Sequence, residues 1–410
     1  MENNTLELTS QALQGNMNFL WVAICAALVF FMQAGFAMLE SGMVRSKNAI
    51  NVIMKNYTDM CFGALVFWAV GYGLMYGTTE GIGLFGTDKF LLEGSSWEYM
   101  QLMYQMMFAA TAATIVSGAL AERIRFGAYA FVAVLITAFI YPVFGCWVWN
   151  DGGWLNQLGF IDFAGSSVVH SCGGWCALAG VLVLGSRLGR FGENGEVRAI
   201  GGHNLPLVAF GGMILWFGWF GFNGGSTMSA DESIGRILLN THLAGAAGVV
   251  GFVGTRLLND GKMLMTETIN GGLAGLVAIT AGCATMTPAY AIITGISAGF
   301  LCVIATAMTN KFKLDDAVGA IAVHGVSGAW GTLAAGMFLA GNMFNPTIIG
   351  VQALGILACF IWTFPMAWLA FKVVSMVMSL RVSTTDEQRG LDFSEHHEVG
   401  YPEFQATLHN

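Results

Sequence analysis

Polar and apolar positions along this chain fall into blocks. Eleven apolar segments are separated by polar stretches, with centres near Leu28, Phe67, Ala110, Ile136, Leu178, Leu215, Gly245, Leu276, Ala298, Gly331 and Ile361. The first run, Met17 to Leu39, can cross a hydrocarbon core of roughly 30 Å. The last, Pro346 to Leu380, is unusually long and predicts a tilted helix. The pattern predicts an all-α integral membrane protein of eleven transmembrane helices.

The polar stretches orient the chain. With the N-terminus outside, the inner loops are MVRSKN, AERIRF, GSRLGRFGENGEVRAI, GTRLLNDGK and TNKFKLDD. All basic residues among the 17 except Lys89 and Arg236 then lie inside or near inner helix ends. Positively charged loops stay on the cytoplasmic side, so the expectation is N-out and C-in, which needs an odd number of helices.

Composition agrees. Of 410 residues, 55% are hydrophobic and 10% charged, against about 25% charged in soluble domains, and mean hydropathy is +0.64. The 55 glycines and 6 prolines suit closely packed membrane helices. The net charge of −8 adds little, since the position of each charge matters more than the sum. The eight cysteines lie in or beside apolar runs without metal-ligand spacing, and read as small core residues. The first sixteen residues contain no Lys or Arg, so no cleavable signal peptide is expected. Neither a nucleophile–base nor a metal constellation is visible, so the reading is not an enzyme, with no cofactor, no metal and no nucleic-acid partner.

An internal echo sharpens the picture. VVHSCGGW, Val168 to Trp175, recurs with a one-residue gap as AVHGVSGAW, Ala322 to Trp330. FFMQAGFAMLESG in the first helix more weakly echoes WFGWFGFNGGS in the sixth. Two five-helix halves follow, inverted because five is odd, with a pathway expected at their interface. The expected organisation is a membrane domain over 1–380 and a cytoplasmic tail over 381–410. Within the domain, the repeats span about 17–190 and about 205–341, and the eleventh helix about 346–380. His170 and His324 occupy equivalent places in the halves. An intramembrane ionisable residue is a functional candidate by default, and its recurrence strengthens the case. His242 has no such mate and reads as structural.

Several motifs then carry a resemblance: AGFAMLESGMVRSKNAINVIMKN, IVSGALAERIRF, DFAG before VVH, WFGFNGGS, GLAGLVAIT and VHGVSGAWGT. Together they resemble the Amt branch of the Amt/MEP/Rh superfamily of ammonium transporters over essentially the whole chain. The resemblance implies eleven helices, a homotrimer and a pore in each subunit. It implies recruitment of ammonium, and of methylammonium, by Trp149, Ser226 and Phe108. It further implies a gate of stacked Phe108 and Phe222, a pore pair of His170 and His324, and Asp162 supporting the outer vestibule. A bacterial-type inner membrane and a PII-class signalling protein at the cytoplasmic face are expected. Two departures stand out. Gly319 and Ala320 occupy the stretch before the second histidine where relatives often carry an acid, with Asp315 and Asp316 lying earlier. The tail reads SEHHEVG, placing His397 where relatives typically have glycine.

Physical chemistry fits these roles. An aromatic face over a dehydrating cation contributes about 0.5–2 kcal/mol, and a hydroxyl acceptor exploits N–H directionality that potassium lacks. Asp162 fits a helix N-cap. An intact cation in a narrow apolar pore costs tens of kcal/mol in the idealised limit, so the expected passage is deprotonation near the phenyl gate, then conduction of ammonia past the histidines. Two rivals stand beside this reading: an Rh-like ammonia gas channel, and an ammonium sensor module signalling through a partner.

Overall fold

The computed structural model describes residues 2–259 and 261–405, and among them the chain is helical, with isolated β-bridges and no strand. The rods follow one another as α1 (Glu2–Met43), α2 (Ala49–Val66, passing through a π turn into Tyr72–Tyr76) and α3 (Ser96–Ala119). Next come α4 (Phe126–Leu135, continued through a π turn into Tyr141–Trp149), α5 (a π turn, Ser166–Ser171, then Cys172–Leu184) and α6 (Leu205–Gly225). After these come α7 (Ser233–Asn259), α8 (Met265–Ile279), α9 (Pro288–Lys311), α10 (a π turn, Ile321–Val326, then Ser327–Met337) and α11 (Pro346–Val377). Two short helices, α12 (Thr384–Arg389) and α13 (Leu391–His396), belong to the tail. Residues 406–410 of the expected tail lie outside the described residues.

Local sequence starts these helices. Ser95 and Glu98 form a reciprocal capping box on α3, with Glu98 N–H donating to Ser95 Oγ at 3.3 Å and Ser95 N–H to Glu98 Oε2 at 2.9 Å. Asn204 Oδ1 accepts from Leu207 N–H ahead of α6, and Asn345 Oδ1 from Thr347 N–H ahead of α11. Proline opens α6, α9 and α11, where its missing N–H costs nothing.

Among the described residues, nine helices are long and apolar enough to cross a membrane. The other two of the eleven apolar segments are shorter. α8 has 15 residues and opens with Thr266, Glu267, Thr268 and Asn270. α10 begins only at Ile321, because Leu314 to Gly319 are drawn into a capped turn. α11 is the long one, its 32 residues reaching about 48 Å. Large apolar side chains such as Phe210, Met213, Val250, Phe300 and Ile361 face outward, on a scale that suits lipid better than water. Seven cysteines are buried, as their flanks predicted, while Cys61 is exposed, and all eight are free. His242 is exposed on α7, its ring 5.6 Å from that of Trp216.

One end of the bundle is tied by buried charge. Glu122, after α3, meets Arg45 at 2.9 Å and Arg187 at 2.9 Å, and Arg187 makes a two-pronged contact with Asp315 at 2.8 Å on each oxygen. Arg123 spends its guanidinium on the carbonyls of Ala119, Ala121, Gly185 and Asp315. Burial alone would raise the Glu122 carboxyl, but the Arg45 hydrogen bonds and the Arg187 charge outweigh it and hold it at about 2. Asp315 is also held low, its burial outweighed by Arg187. The tail docks on this same end. Glu387 accepts from Leu188 N–H at 2.6 Å and meets Arg381 at 2.7 Å. Asp392 accepts from Asn51 N–H at 2.8 Å, and His203 lies 2.8 Å from the Tyr401 hydroxyl. His397 sits in the left-handed region at φ 57°, which accounts for a glycine being the easier residue there.

Candidate functional site

The π turns at the starts of α5 and α10 build the site. Asp162 Oδ2 accepts from Ser167 and Val168 N–H, both at 2.9 Å, and Oδ1 from Gly165 N–H at 3.2 Å. His170 N–H then reaches back to Gly165 O at 3.2 Å, the five-residue step of a π turn, a geometry frequent at functional sites. Asp316 does the same work before α10, accepting from Gly319 N–H at 2.9 Å and Ile321 N–H at 2.7 Å. The acid sought in the second half is therefore present, one π turn further back than the stretch where the sequence suggested looking. Gly165 (φ 106°) and Gly319 (φ 87°) supply the left-handed residue each turn requires.

α5 and α10 cross where Gly174 meets Gly325. A Cβ on Gly174 would lie 2.3 Å from Gly325 N, so only glycine allows the approach. That crossing brings His170 Nδ1 within 3.1 Å of His324 Nδ1, with the rings stacked at 5.3 Å. Both are buried. A single proton between the two Nδ1 atoms fixes complementary tautomers. One ring keeps a lone pair on Nε2 and the other carries Nε2–H. His170 Nε2 meets no hydrogen-bond partner among the described residues.

A column of rings continues from the pair. His170 stacks on Phe222 at 5.4 Å and on Trp219 at 5.1 Å, and Phe222 stacks on Phe108 at 4.0 Å. Phe108 and Phe222 are fully buried. Trp149, the last residue of α4, stands edge-on to Phe108 at 6.1 Å, its indole N–H donating to Asp162 O at 2.7 Å. Ser226, just past α6, donates from its hydroxyl to Phe222 O at 2.9 Å. The structure thus brings all seven sequence-nominated residues, Phe108, Trp149, Asp162, His170, Phe222, Ser226 and His324, into one column.

Sequence reasoning missed Tyr104. Its hydroxyl lies 2.6 Å from Phe222 O and 3.3 Å from Ser226 Oγ, and its ring is 4.7 Å from that of Phe108. It therefore sets the turn that carries Phe222 and Ser226. The available signal was a polar-tipped aromatic one helical turn before Phe108. Beyond His324, on the side away from Trp149, lies a small cavity of about 20 Å³, room for about one water-sized molecule, whose walls include Phe36, Glu40, Asn270 and His324.

Residues 20–401 match the Ammonium Transporter Family. The Amt2 ammonium transporter of Archaeoglobus fulgidus is 44% identical, covering 95% of this chain and 89% of its own length. A solved structure titled Sensor Amt Protein superposes with a TM-score of 0.90 at 40% identity, covering 94% of this chain and all of that one. Saccharomyces cerevisiae Mep2 superposes with a TM-score of 0.83 at 27% identity, covering 90% of each. An apolar multi-helix fold, a ring-lined column ending on paired imidazoles, and a match across nearly the whole length lead to one conclusion: this chain is a multi-pass membrane protein of the Ammonium Transporter Family, and its function is ammonium transport.

Proposed function

We propose that the column from Trp149 to His324 is the transport path, recruiting ammonium at its outer end and conducting ammonia past the histidine pair. The observation that carries this reading is the unbroken stack of Phe108, Phe222, His170 and His324. Ammonium meets the Trp149 and Phe108 rings and the Ser226 oxygen first. The 4.0 Å stack of Phe108 on Phe222 leaves no room for an intact hydrated ion. Desolvation there favours the neutral form of a cationic acid, so ammonium sheds a proton and ammonia passes. Inside, the complementary Nε2 atoms offer one donor and one acceptor, matching ammonia's lone pair and N–H groups. Potassium has no proton to shed and faces the full dehydration cost.

In this reading the chain has eleven membrane helices in two inverted halves, α1–α5 and α6–α10, followed by α11. Shared Asp–Gly–His spacing before each histidine supports the repeat. The meeting of the Arg45, Glu122, Arg187 and Asp315 segments with the tail at one end supports a C-in orientation. The domain boundary falls near residue 380, where α11 gives way to the docked tail. The chain assembles as a homotrimer in a bacterial-type inner membrane, and the tail face is where a PII-class protein would bind. The 0.90 TM-score to a Sensor Amt Protein favours one second reading, that the chain also senses ammonium. The test is transport by purified protein in liposomes. Saturable ammonium uptake without potassium uptake supports the transport path, whereas ammonium binding without flux would favour sensing.

A further inference from the structure

We propose that Glu40 is the inner proton station of this pore, the carboxyl that reprotonates ammonia as it leaves the histidine pair. The inference rests on the transport path above and extends it inward. Glu40 lies on α1 one turn, about 6 Å, beyond Phe36, and the Phe36 ring stands 6.4 Å from that of His324. Both residues border the cavity that opens on His324, together with Leu215, Leu273 and Asn270. Glu40 is 1% exposed. A carboxyl at this depth is costly unless it is paired or used.

The surroundings hold the carboxyl in a fixed pose. Glu40 Oε2 accepts from Asn56 Nδ2 at 3.0 Å and from Ser117 Oγ at 3.1 Å. Lys55, also fully buried, donates to Ser117 O at 2.8 Å. The charged groups around Glu40 are Lys55 and Asp59 from α2 and Asp316 from the turn before α10. Asp59 accepts from the Thr114 and Tyr129 hydroxyls, and Asp316 spends its oxygens on backbone N–H groups. Lys55 thus offsets a negative charge on Glu40 while its own amine donates to Ser117 O. Of the two, Glu40 is the one that lines the cavity together with His324.

The proton balance closes. At the phenyl stack, ammonium sheds one proton, which the adjoining imidazole pair takes up, and becomes ammonia. The proton passes from the pair to the Glu40 carboxylate. Ammonia entering the inner cavity takes it, forming ammonium and restoring the carboxylate beside Lys55. One ammonium and one positive charge cross per cycle.

The test compares the parental protein with Glu40→Gln, Glu40→Asp and the charge-balanced double variant Glu40→Gln/Lys55→Met, all in liposomes. Ammonium-evoked current on a supported membrane and interior pH reported by an enclosed dye are read together. Removing the carboxyl should lower the current by roughly a hundredfold or more, the scale of a lost proton-transfer group. A protein-dependent rise in interior pH, not expected of the parental protein because its ammonium enters with the proton, should now appear, because ammonia arrives without it. Glu40→Asp should restore most of the current. Parental current in a folded Glu40→Gln variant would overturn the proposal, as would loss of current with no rise in interior pH in both Gln variants. Ammonia flux without current in the parental protein would overturn this inference and leave the transport path standing. Absence of both would overturn the two together.

Discussion

Asp162 and Asp316 stand in the same relation to the two histidines: each lies eight residues ahead of one and binds the free N–H groups of the π turn that carries it. Neither carboxylate needs to touch the transported species to matter. Each fixes the backbone from which an imidazole projects.

Replacing either Asp162 or Asp316 by Ala should therefore act first on stability. Leaving buried donors unpaired costs about 1–3 kcal/mol each, and Asn, which keeps one acceptor oxygen, should cost less. Thermal unfolding in detergent checks this. An unchanged midpoint in Asp162→Ala, with transport abolished, would instead assign Asp162 to direct contact with the ion.

Selection at the outer end is a separate matter. If Trp149 and Ser226 bind the cation, Trp149→Leu should weaken apparent affinity and alter methylammonium discrimination while assembly survives. The cation–π loss of about 0.5–2 kcal/mol corresponds to a roughly 2- to 30-fold shift in half-saturation. An unchanged concentration dependence in a folded Trp149→Leu/Ser226→Ala variant would remove both residues from the recruitment role.

The histidine pair was legible because two polar letters repeat inside apolar words, VVHSCGGW and AVHGVSGAW. Phe108 and Phe222 carried no such mark among 30 phenylalanines, and only resemblance to a family singled them out. Asp316 was legible in principle, since an acid, a glycine three residues on and a histidine five further recur in both halves. Its capping role was not, because it depends on the turn that brings the Gly319 and Ile321 N–H groups onto the carboxylate. Glu40, Lys55 and the docking of the tail were not legible, since they depend on which helices and loops meet across the bundle. The eleven apolar blocks were visible, but the brevity of α8 and α10 was not, because the turn at 280–285 after α8 and the Asp316-capped turn before α10 consume residues that hydropathy counts as helix.

Acid should loosen the charged end before the core. Glu122 is held at about 2 in the folded protein against an ordinary 4.5, and Asp315 is lowered likewise. A depressed carboxylate contributes stability that is present above its unfolded value and lost as pH falls through its folded one. Protection of the loops and tail should thus hold at pH 7 and decline between about 4.5 and 2, which amide hydrogen exchange can follow. Glu122→Ala should remove much of that pH dependence. Constant protection of the loops across this window would contradict the account.

Orientation has a direct check. A reporter active only outside the cytoplasm, fused after Arg389, should stay silent, because the tail docks on the basic loops. Strong activity would reverse the assignment of sides.

The central claim is that His170 and His324, 3.1 Å apart, act as one hydrogen-bonded unit that passes ammonia and refuses potassium. The most direct test measures ammonium and potassium uptake side by side in the parental protein, His170→Ala, His324→Ala and the double variant, with His170→Asp and His324→Asp alongside. Each single Ala variant should lose ammonium transport sharply, and the double should be little worse than either, since members of a unit are non-additive. The Asp variants should admit potassium. Folded single Ala variants transporting ammonium at parental rate and selectivity would contradict the account and return both histidines to packing.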